Sequence, residues 1–257
     1  MTRPRLVGMT HLPALPGTPA AGPGELGSVV EAALADARTL EEAGFDAVLV
    51  QNSLDRPTRE RVDELAVAQL AVVTYRVRLT TDLLVGVNVI KNDGPAAIAV
   101  AAAAGADFVR IKVLTGSVLS AEGVLEGCAP ETHALRTRSG SRAAIWADCY
   151  EPTSRALVGD DFDAAVVDAL DFGMADAVIV TGRTTGETLV LAEHARKRQP
   201  DAHLVIGGRV DADSVAAALA IADTVIIGSA LKSPPGITGR VDPDRARELA
   251  AAARGAL

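Results

Sequence analysis

A short pattern of polar and apolar residues recurs four times along the chain. In each copy an aspartate precedes a run of small and β-branched apolar residues, and in three copies a glycine lies two or three positions before the aspartate. Glycine is preferred immediately after the last helical residue, and a short β-branched run is typical of a buried parallel strand. Each copy therefore predicts the end of a helix and then a strand, at residues 44–50, 105–111, 173–180 and 221–227.

Four further apolar runs alternate with these copies, at residues 6–9, 84–88, 144–147 and 204–207. Segments predicted to be helical follow the strands, at residues 28–43, 60–77, 95–104, 131–138, 161–172, 187–198, 211–220 and 243–253. Eight strand–helix units in about 250 residues predict an α/β fold, a (β/α)8 TIM barrel, with residues 1–257 as a single domain. A doubly wound open sheet fits less well, because no GxGxxG motif follows the first strand.

Long connections leave the strands at residues 11–27, 51–59, 114–130 and 149–160, whereas the connections into the strands are short. All four long connections lie at the carboxyl ends of strands. Active sites of barrels of this kind are built from the loops at that face. The functional residues are therefore expected there.

The last two predicted strands both end in glycines and small polar residues. In a barrel of parallel strands, the loops after strands 7 and 8 often hold a phosphate on backbone N–H groups, which a Cβ would obstruct. The alternative is that these glycines only make tight turns. The predicted phosphate-binding residues, with two from the loop after strand 6, are Thr181, Gly182, Gly207, Gly208, Arg209, Gly228 and Ser229. Arg209 and Lys232 flank the loops, where they would supply charge or be solvated surface cations.

Polar residues follow several other strands and are candidates for catalysis. His11 begins a proline-rich loop and is a candidate acid–base group. Asn52 and Asn88 carry amides that can bind a carbonyl or sugar hydroxyls. Asp93, in contrast, precedes a predicted helix and is at least as well explained as its N-cap.

Asp148 ends the fifth predicted strand, where a carboxylate can act as a general base or as one ligand of a metal ion. The alternative is a salt bridge to Arg110 or Lys112, which share one face of the fourth strand by period two. Lys112 is a candidate for polarising a substrate. Because no paired-histidine spacing exists, no metal site is predicted and no cofactor is required, although a divalent cation at Asp148 is compatible with its position.

Composition excludes several other classes of function. The net charge is −8 and aromatic residues make up only 3% of the chain, so the basic footprint and stacking aromatics of nucleic-acid-binding proteins are missing. No apolar run is long enough to span a bilayer, and no signal peptide is apparent. Cys128 and Cys149 form no CxxC pair. These features predict a cytoplasmic protein without a membrane span.

The motifs taken together resemble those of the BtpA/SgcQ family. The resemblance rests on residues 11–17 (HLPALPG), 87–93 (VNVIKND), 115–116 (TG), 179–182 (IVTG), 185–186 (TG) and 227–232 (IGSALK). It runs in order over nearly the whole chain. It implies a TIM barrel, in agreement with the strand pattern. It also implies one of two settings, because one branch of the family is associated with photosystem I accumulation at thylakoids and another lies among sugar-uptake and sugar-metabolism genes.

The sequence departs from the family's pattern at three places on the expected active face. Gln51 stands where the family often has glutamate, and Lys112 where it usually has asparagine. After Asp148 the family typically continues with a histidine-bearing segment, but here Cys149, Tyr150 and Glu151 follow. These departures imply an altered substrate or chemistry, or a weakened metal or acid–base site.

The first hypothesis is an enzyme that acts on a small phosphorylated ligand, such as a sugar phosphate or a nucleotide-like compound. His11 and Asp148 would be its acid–base pair, and isomerase, lyase and glycosyl-bond cleavage reactions all remain open. The alternative is a non-catalytic assembly or regulatory factor that uses the barrel as a scaffold. The absent histidines favour this alternative, whereas the polar residues at the strand ends oppose it. A homo-oligomer is expected in either case.

Overall fold

Eight parallel strands close into a barrel in which each strand is hydrogen-bonded to its two neighbours. The computed structural model describes residues 3–22, 24–150, 152–157 and 161–255. Around the ring the order is β1-β11-β10-β9-β7-β4-β3-β2, so the predicted (β/α)8 barrel is confirmed. The strands, in chain order, are β1 Leu6–His11, β2 Ala47–Gln51, β3 Leu84–Asn88, β4 Phe108–Ile111, β5 Ser117–Ser120, β6 Gly123–Glu126, β7 Ala144–Tyr150, β8 Arg155–Ala156, β9 Ala177–Val180, β10 Leu204–Ile206 and β11 Thr224–Ile227.

The helices pack outside the ring and agree with the predicted segments to within a few residues. A π-helical turn, Asp168–Phe172, extends the fifth helix. None of the helices in the described part of the chain is both long and apolar enough to cross a membrane. The helices are α1 Leu26–Ala43, α2 Glu64–Thr80, α3 Gly94–Ala104, α4 Ala129–Ser139, α5 Phe162–Val167, α6 Thr185–Arg198, α7 Val215–Ile221 and α8 Pro243–Arg254.

Two of the long connections contain a small antiparallel sheet that the sequence analysis did not predict. Strand β5 pairs with β6 on one side and with β8 on the other. Ser120 pairs with Gly123, so Ala121 and Glu122 form a two-residue hairpin turn. The sheet joins the connection after β4 to the connection after β7, at the carboxyl end of the barrel.

The barrel interior below that end is apolar and closely packed. The Phe108 ring stacks on Trp146 with centroids 4.0 Å apart, and the His203 ring packs edge-to-face against Trp146 with centroids 5.2 Å apart. Gly86 makes room for this stack, because a Cβ there would lie only 2.2 Å from the Phe108 ring. The interior is therefore a filled core, and polar chemistry is confined to the mouth.

The aspartate of each repeated pattern has a common structural role at the opposite end of the barrel. Its carboxylate accepts a hydrogen bond from the first or second backbone N–H of the neighbouring strand. The donors belong to β1, β3, β7 and β10, and the distances are 2.8, 2.8, 2.8 and 2.9 Å. Each aspartate thus joins the start of its own strand to the start of the preceding barrel strand. The four aspartates are Asp46, Asp107, Asp176 and Asp223.

The glycines of the repeat behave less uniformly than predicted. Gly44 and Gly105 follow α1 and α3 in the left-handed conformation, with φ of 90° and 69°. At Gly173 the prediction was wrong, because its φ is −73° and the positive φ falls on Met174. Glycine is required at 173 for close packing instead, since a Cβ there would lie 2.7 Å from the Thr115 side chain.

Candidate active site at the barrel mouth

Alternation along the strands determines which polar side chains enter the mouth. Met9, Leu49, Phe108, Trp146 and Ile179 point into the barrel core. Because side chains alternate with period two, the residues two positions further along each strand also point inward, one layer nearer the mouth. That layer contains His11, Gln51, Arg110, Asp148 and Thr181, together with Asn88 from β3 and the glycines Gly207 and Gly228 after β10 and β11.

A buried ion pair lies at the centre of this layer. Arg110 donates from Nη2 to Asp148 Oδ1 at 2.7 Å and from Nε to Asp148 Oδ2 at 2.8 Å. Its Nη1 also donates to the carbonyl of Gly207 at 3.3 Å. Lys112 Nζ lies 3.8 Å from Asp148 Oδ1. Both carboxylate oxygens therefore face cations, and this geometry favours the ion-pair interpretation of Asp148 over that of a general base.

Three buried polar atoms around the ion pair have no hydrogen-bond partner among the described residues. They are Asn88 Oδ1, Thr181 Oγ1 and His11 Nδ1, half of the six such side-chain atoms in the described part of the chain. The amide nitrogen of Asn88 is used, because it donates to the carbonyl of Arg110 at 2.8 Å. Buried polar groups are nearly always paired with protein or water. Three unpaired atoms in one layer therefore mark the mouth as a place where a polar ligand can bind.

His11 is neutral over most of the pH range. Its side chain is buried, and burial, with further effects from the Lys232 and Arg110 charges, lowers its pKa to about 4. Asp36 acts in the opposite direction but does not restore the usual value. A neutral imidazole with an unpaired Nδ1 can accept or donate a proton or a hydrogen bond, according to its tautomer.

In the loops after β9 and β10, glycine N–H groups donate hydrogen bonds within the protein. The N–H of Gly207 donates to the Val180 carbonyl at 2.9 Å, and the N–H of Gly182 donates to the Thr188 hydroxyl at 2.9 Å. These two amides are thus engaged within the protein. Arg209 is exposed, in the left-handed region with φ of 63°, and its carbonyl accepts from Thr185 at 2.8 Å.

Backbone at Gly207 and Gly228 approaches the mouth residues closely. A Cβ on Gly228 would lie 3.0 Å from His11 Cε1, and one on Gly207 would lie 2.5 Å from Thr181 Oγ1. Any other residue would fill space beside these polar atoms. Gly208 and Ser229 follow directly, half-buried and exposed respectively, so the backbone at the ends of β10 and β11 forms one wall of the mouth.

Lys232 does not supply charge to these loops as the sequence suggested. Its side chain is buried behind β1, where Nζ lies 3.5 Å from Asp36 Oδ2. Burial lowers the pKa of Lys232, and the neighbouring Asp36 carboxylate opposes that shift. Asp36 also accepts hydrogen bonds from the Thr10 hydroxyl and from the backbone N–H of Val241. This cluster attaches the loop after β11 to α1.

Asn52 lies out of phase with the inward-facing layer and is fully buried. Its Oδ1 accepts from the backbone N–H of Ile90 at 2.9 Å, and its Nδ2 donates to Asp55 at 2.9 Å. The side chain thereby connects the loops after β2 and β3. Gln51 is the inward-facing residue at this strand end. Sequence reasoning chose Asn52 instead, because which of the two side chains points inward depends on the residue at which β2 ends, and that residue could not be located from the sequence.

The other residues that the sequence analysis weighed near the mouth have structural roles. Asp93 caps α3 by accepting from Ala96 N at 3.0 Å, as expected. Cys149 Sγ lies 3.3 Å from the Ile179 carbonyl, and burial raises the pKa of its thiol. Glu151 lies outside the described residues. No group of three or more His, Cys, Asp and Glu in the described ranges is arranged to hold a metal ion.

Two surface clefts are lined by residues outside the inward-facing layer of the mouth. One, of about 410 Å³, runs between the loop after β1 and the start of α1 and is lined mainly by proline, alanine and glycine. The other, of about 510 Å³, lies between α5 and α6 beside the Asp163–His194 pair. Neither contains unpaired buried polar atoms. The mouth is the preferred candidate for the active site because of its unpaired buried polar atoms, and not because of the size of its cavity.

Comparison with known proteins gives one family. The model of the BtpA family matches residues 2–255. An uncharacterised protein of Thermococcus kodakarensis is 39% identical over 248 residues, covering 96% of this chain and 94% of that protein. The photosystem I biogenesis protein BtpA of Synechocystis is 35% identical over 246 residues, covering 93% of this chain and 84% of that protein.

Solved structures share the fold at low identity. N-(5'-phosphoribosyl)anthranilate isomerase from Pyrococcus furiosus has a TM-score of 0.59 and 11% identity, covering 98% of this chain and 99% of that chain. 3-Hexulose-6-phosphate synthase from Salmonella typhimurium has a TM-score of 0.62 and 14% identity, covering 98% of this chain and all of that one (100%). These similarities confirm the barrel.

We expect Arg110→Met to destabilise the protein by about 3–5 kcal/mol, because it leaves the buried Asp148 carboxylate without its main partner. Urea unfolding measures the loss. The double variant Arg110→Met/Asp148→Asn removes the uncompensated charge and should recover a large part of it. A single variant that loses less than about 1 kcal/mol would contradict a buried, closely coupled pair.

The free energy of unfolding should fall as the pH is lowered from about 6.5 to about 4. His11 and His203 each have a pKa of about 4 in the folded protein, against about 6.5 when unfolded. The unfolded chain therefore binds protons first, at up to about 1.4 kcal/mol per pH unit for each histidine. Urea titrations across this range test it. His203→Gln should reduce the slope, and an unchanged slope would show that His203 is not buried neutral.

Proposed function

This chain belongs to the BtpA family, and we propose that it is an enzyme that binds a small phosphorylated metabolite in the barrel mouth. The observation that carries the proposal is the set of unpaired buried atoms on Asn88, Thr181 and His11, gathered around one ion pair. A pure scaffold gains nothing from burying polar atoms without partners, because each one costs about 1–3 kcal/mol. A bound ligand would satisfy them.

The cations of the mouth support an anionic ligand. Arg110 and Lys112 both lie beside Asp148, and His11 is neutral. A low dielectric in this site strengthens the attraction of the two cations for an anionic group. Lys112 is the more accessible cation, with 15% of its side chain exposed against 4% for Arg110. We therefore assign Lys112 to direct contact with the ligand.

The phosphate is assigned to the wall formed by the ends of β9, β10 and β11. Thr181 offers an unpaired hydroxyl there, and the backbone at Gly207 and Gly228 lies directly beside the mouth residues. Of the predicted phosphate-binding residues, Gly182 and Gly207 have their N–H groups engaged within the protein. Gly208, Arg209 and Ser229 remain the candidates for direct contact.

The named activities of the structural neighbours agree with this class of ligand. Two of them are named for a phosphoribosyl compound and for a hexulose 6-phosphate. At these identities they support a barrel that suits such ligands and not a particular reaction. Within the mouth, His11 is the group placed to move a proton, with Asn88 and Lys112 orienting or polarising the substrate.

A second candidate function is assembly or regulation without catalysis. It is favoured by one observation, the 35% identity to a photosystem I biogenesis protein of Synechocystis. In that case the mouth could still bind a metabolite as a signal. The two functions differ in whether the bound compound is converted.

A thermal-shift panel of sugar phosphates, nucleotides and their dephosphorylated counterparts tests the proposed ligand class. A compound at a hundred times its dissociation constant stabilises the folded state by about 2.7 kcal/mol. For a chain of this size the melting temperature should rise by about 5–10 °C. We expect a shift with a phosphorylated compound and a much smaller one with its dephosphorylated form.

Thr181→Val is the sharpest variant for this panel. It keeps the shape of the side chain and removes a hydroxyl that has no partner, so the unliganded protein should melt at or slightly above the wild-type temperature. The ligand-induced shift should fall by more than half. Thr39→Val on the surface of α1 is the matched control. A valine variant that responds like the wild type, or a wild type that responds to no phosphorylated compound, would refute the proposed site.

A further inference from the structure

Helix α2 presents apolar side chains on its outer surface as well as on its inner one. Its inner face is buried against the barrel through Leu70, Val73 and Val77. On the opposite face, four large side chains are about half exposed or more: Leu65 at 54%, Val72 at 47%, Tyr75 at 48% and Leu79 at 65%. With the exposed Ala68 they form a continuous line, which we call the α2 stripe.

Helices α1 and α8 do not share this feature. The exposed positions of α1 include Glu31, Arg38 and Glu42, and those of α8 include Asp244 and Arg247. A helix on the surface of a globular protein normally carries polar residues on its outer face, and one that is apolar all round is normally buried. The α2 stripe therefore departs from this general pattern.

The spacing of the stripe indicates what kind of element covers it. Residues 65, 68, 72, 75 and 79 are separated by three, four, three and four positions. This is the spacing of a seam between two packed helices. The stripe covers 15 residues, from Leu65 to Leu79, which are about 21 Å apart along the helix axis, so a helix that covered it would be of similar length.

We propose that the α2 stripe packs against the α2 stripe of a second copy of this chain, with the two helices antiparallel. The charges at the two ends of α2 support this arrangement. Asp63 and Glu64 lie at its amino end, and Arg76 and Arg78 lie near its carboxyl end. An antiparallel two-fold pair places Glu64 of each helix near Arg76 and Arg78 of the other. A parallel pair would place like charges together.

These charged groups are available for such contacts. Within the described part of the chain, no ion pair uses the side chain of Glu64, Arg76 or Arg78. In an isologous interface each complementary contact occurs twice, and only a second copy supplies the matching set at both ends. Charge complementarity of this kind selects the partner and its orientation more than it sets affinity.

The neighbouring surface leaves room for the second helix. Helix α3 packs beside α2, and its exposed residues Ala102 and Ala103 are small. An interface made of one pair of helices and the small residues beside them should bury a total surface area near or below about 1,200 Å², the lower end of the range for stable interfaces. The dimer should therefore be reversible. It would also brace the loop that follows His11, because Gln69 on α2 donates to the Pro16 carbonyl at 3.0 Å.

Sedimentation velocity over a series of concentrations tests the dimer. Wild-type protein should show a reversible monomer–dimer equilibrium. Val72→Glu places a charge at the middle of the stripe twice per dimer, and the dissociation constant should rise by about a hundredfold or more. Val190→Glu on α6 is the matched control, because Val190 is 66% exposed but lies outside the stripe. It should leave the equilibrium unchanged.

Charge reversal then tests the antiparallel orientation. Glu64→Arg and Arg78→Glu should each weaken self-association, because each places like charges together at both ends. An equimolar mixture of the two variants should dimerise at least as well as the wild type, since both pairs are restored. The proposal is overturned if the wild type stays monomeric, if Val72→Glu dimerises unchanged, if the mixture stays monomeric, or if the stripe binds lipid vesicles instead of a second copy.

Discussion

The buried pair of Arg110 and Asp148 is the interaction on which the mouth depends. It joins β4 to β7 through two short hydrogen bonds and reaches the end of β10 through the Gly207 carbonyl. A charge in this position requires its partner, because removing one member leaves the other uncompensated. Neighbouring residues are constrained in turn. A Cβ on Gly207 would lie 2.4 Å from Ile179 Cγ2 and 3.0 Å from Arg110 Nη2, so a side chain there would clash with β9 and crowd the ion pair. Asn88 is oriented by its hydrogen bond to the Arg110 carbonyl.

The two ends of the barrel are built on different principles. At the amino end of the strands, the repeated aspartates accept hydrogen bonds from backbone N–H groups, which fixes how neighbouring strands begin. At the carboxyl end, the ion pair is satisfied but three atoms around it are not. This division matches the general behaviour of barrels, in which the amino face contributes stability and the carboxyl face contributes function.

Much of this architecture could be predicted from the sequence because it is local and periodic. The four aspartate repeats and the alternating apolar runs predicted the barrel strands, and the period-two relation of Arg110 and Lys112 indicated their common face. The roles of Asn52 and Gln51 could not be separated, because they depend on where β2 ends. The engagement of the Gly182 amide and the burial of Lys232 against Asp36 depend on partners from other segments, which no local pattern specifies.

The central claim is that the mouth binds a phosphorylated metabolite, and a crystal structure grown with ribose 5-phosphate at millimolar concentration tests it most directly. The account predicts a phosphate within hydrogen-bond distance of Thr181 Oγ1 and beside the backbone at Gly208 and Gly228. The sugar should lie towards Asn88, Lys112 and His11. A mouth that holds only water while the phosphate binds elsewhere would contradict it. So would Thr181 and Asn88 side chains that are hydrogen-bonded to each other or to the small antiparallel sheet of β5, β6 and β8.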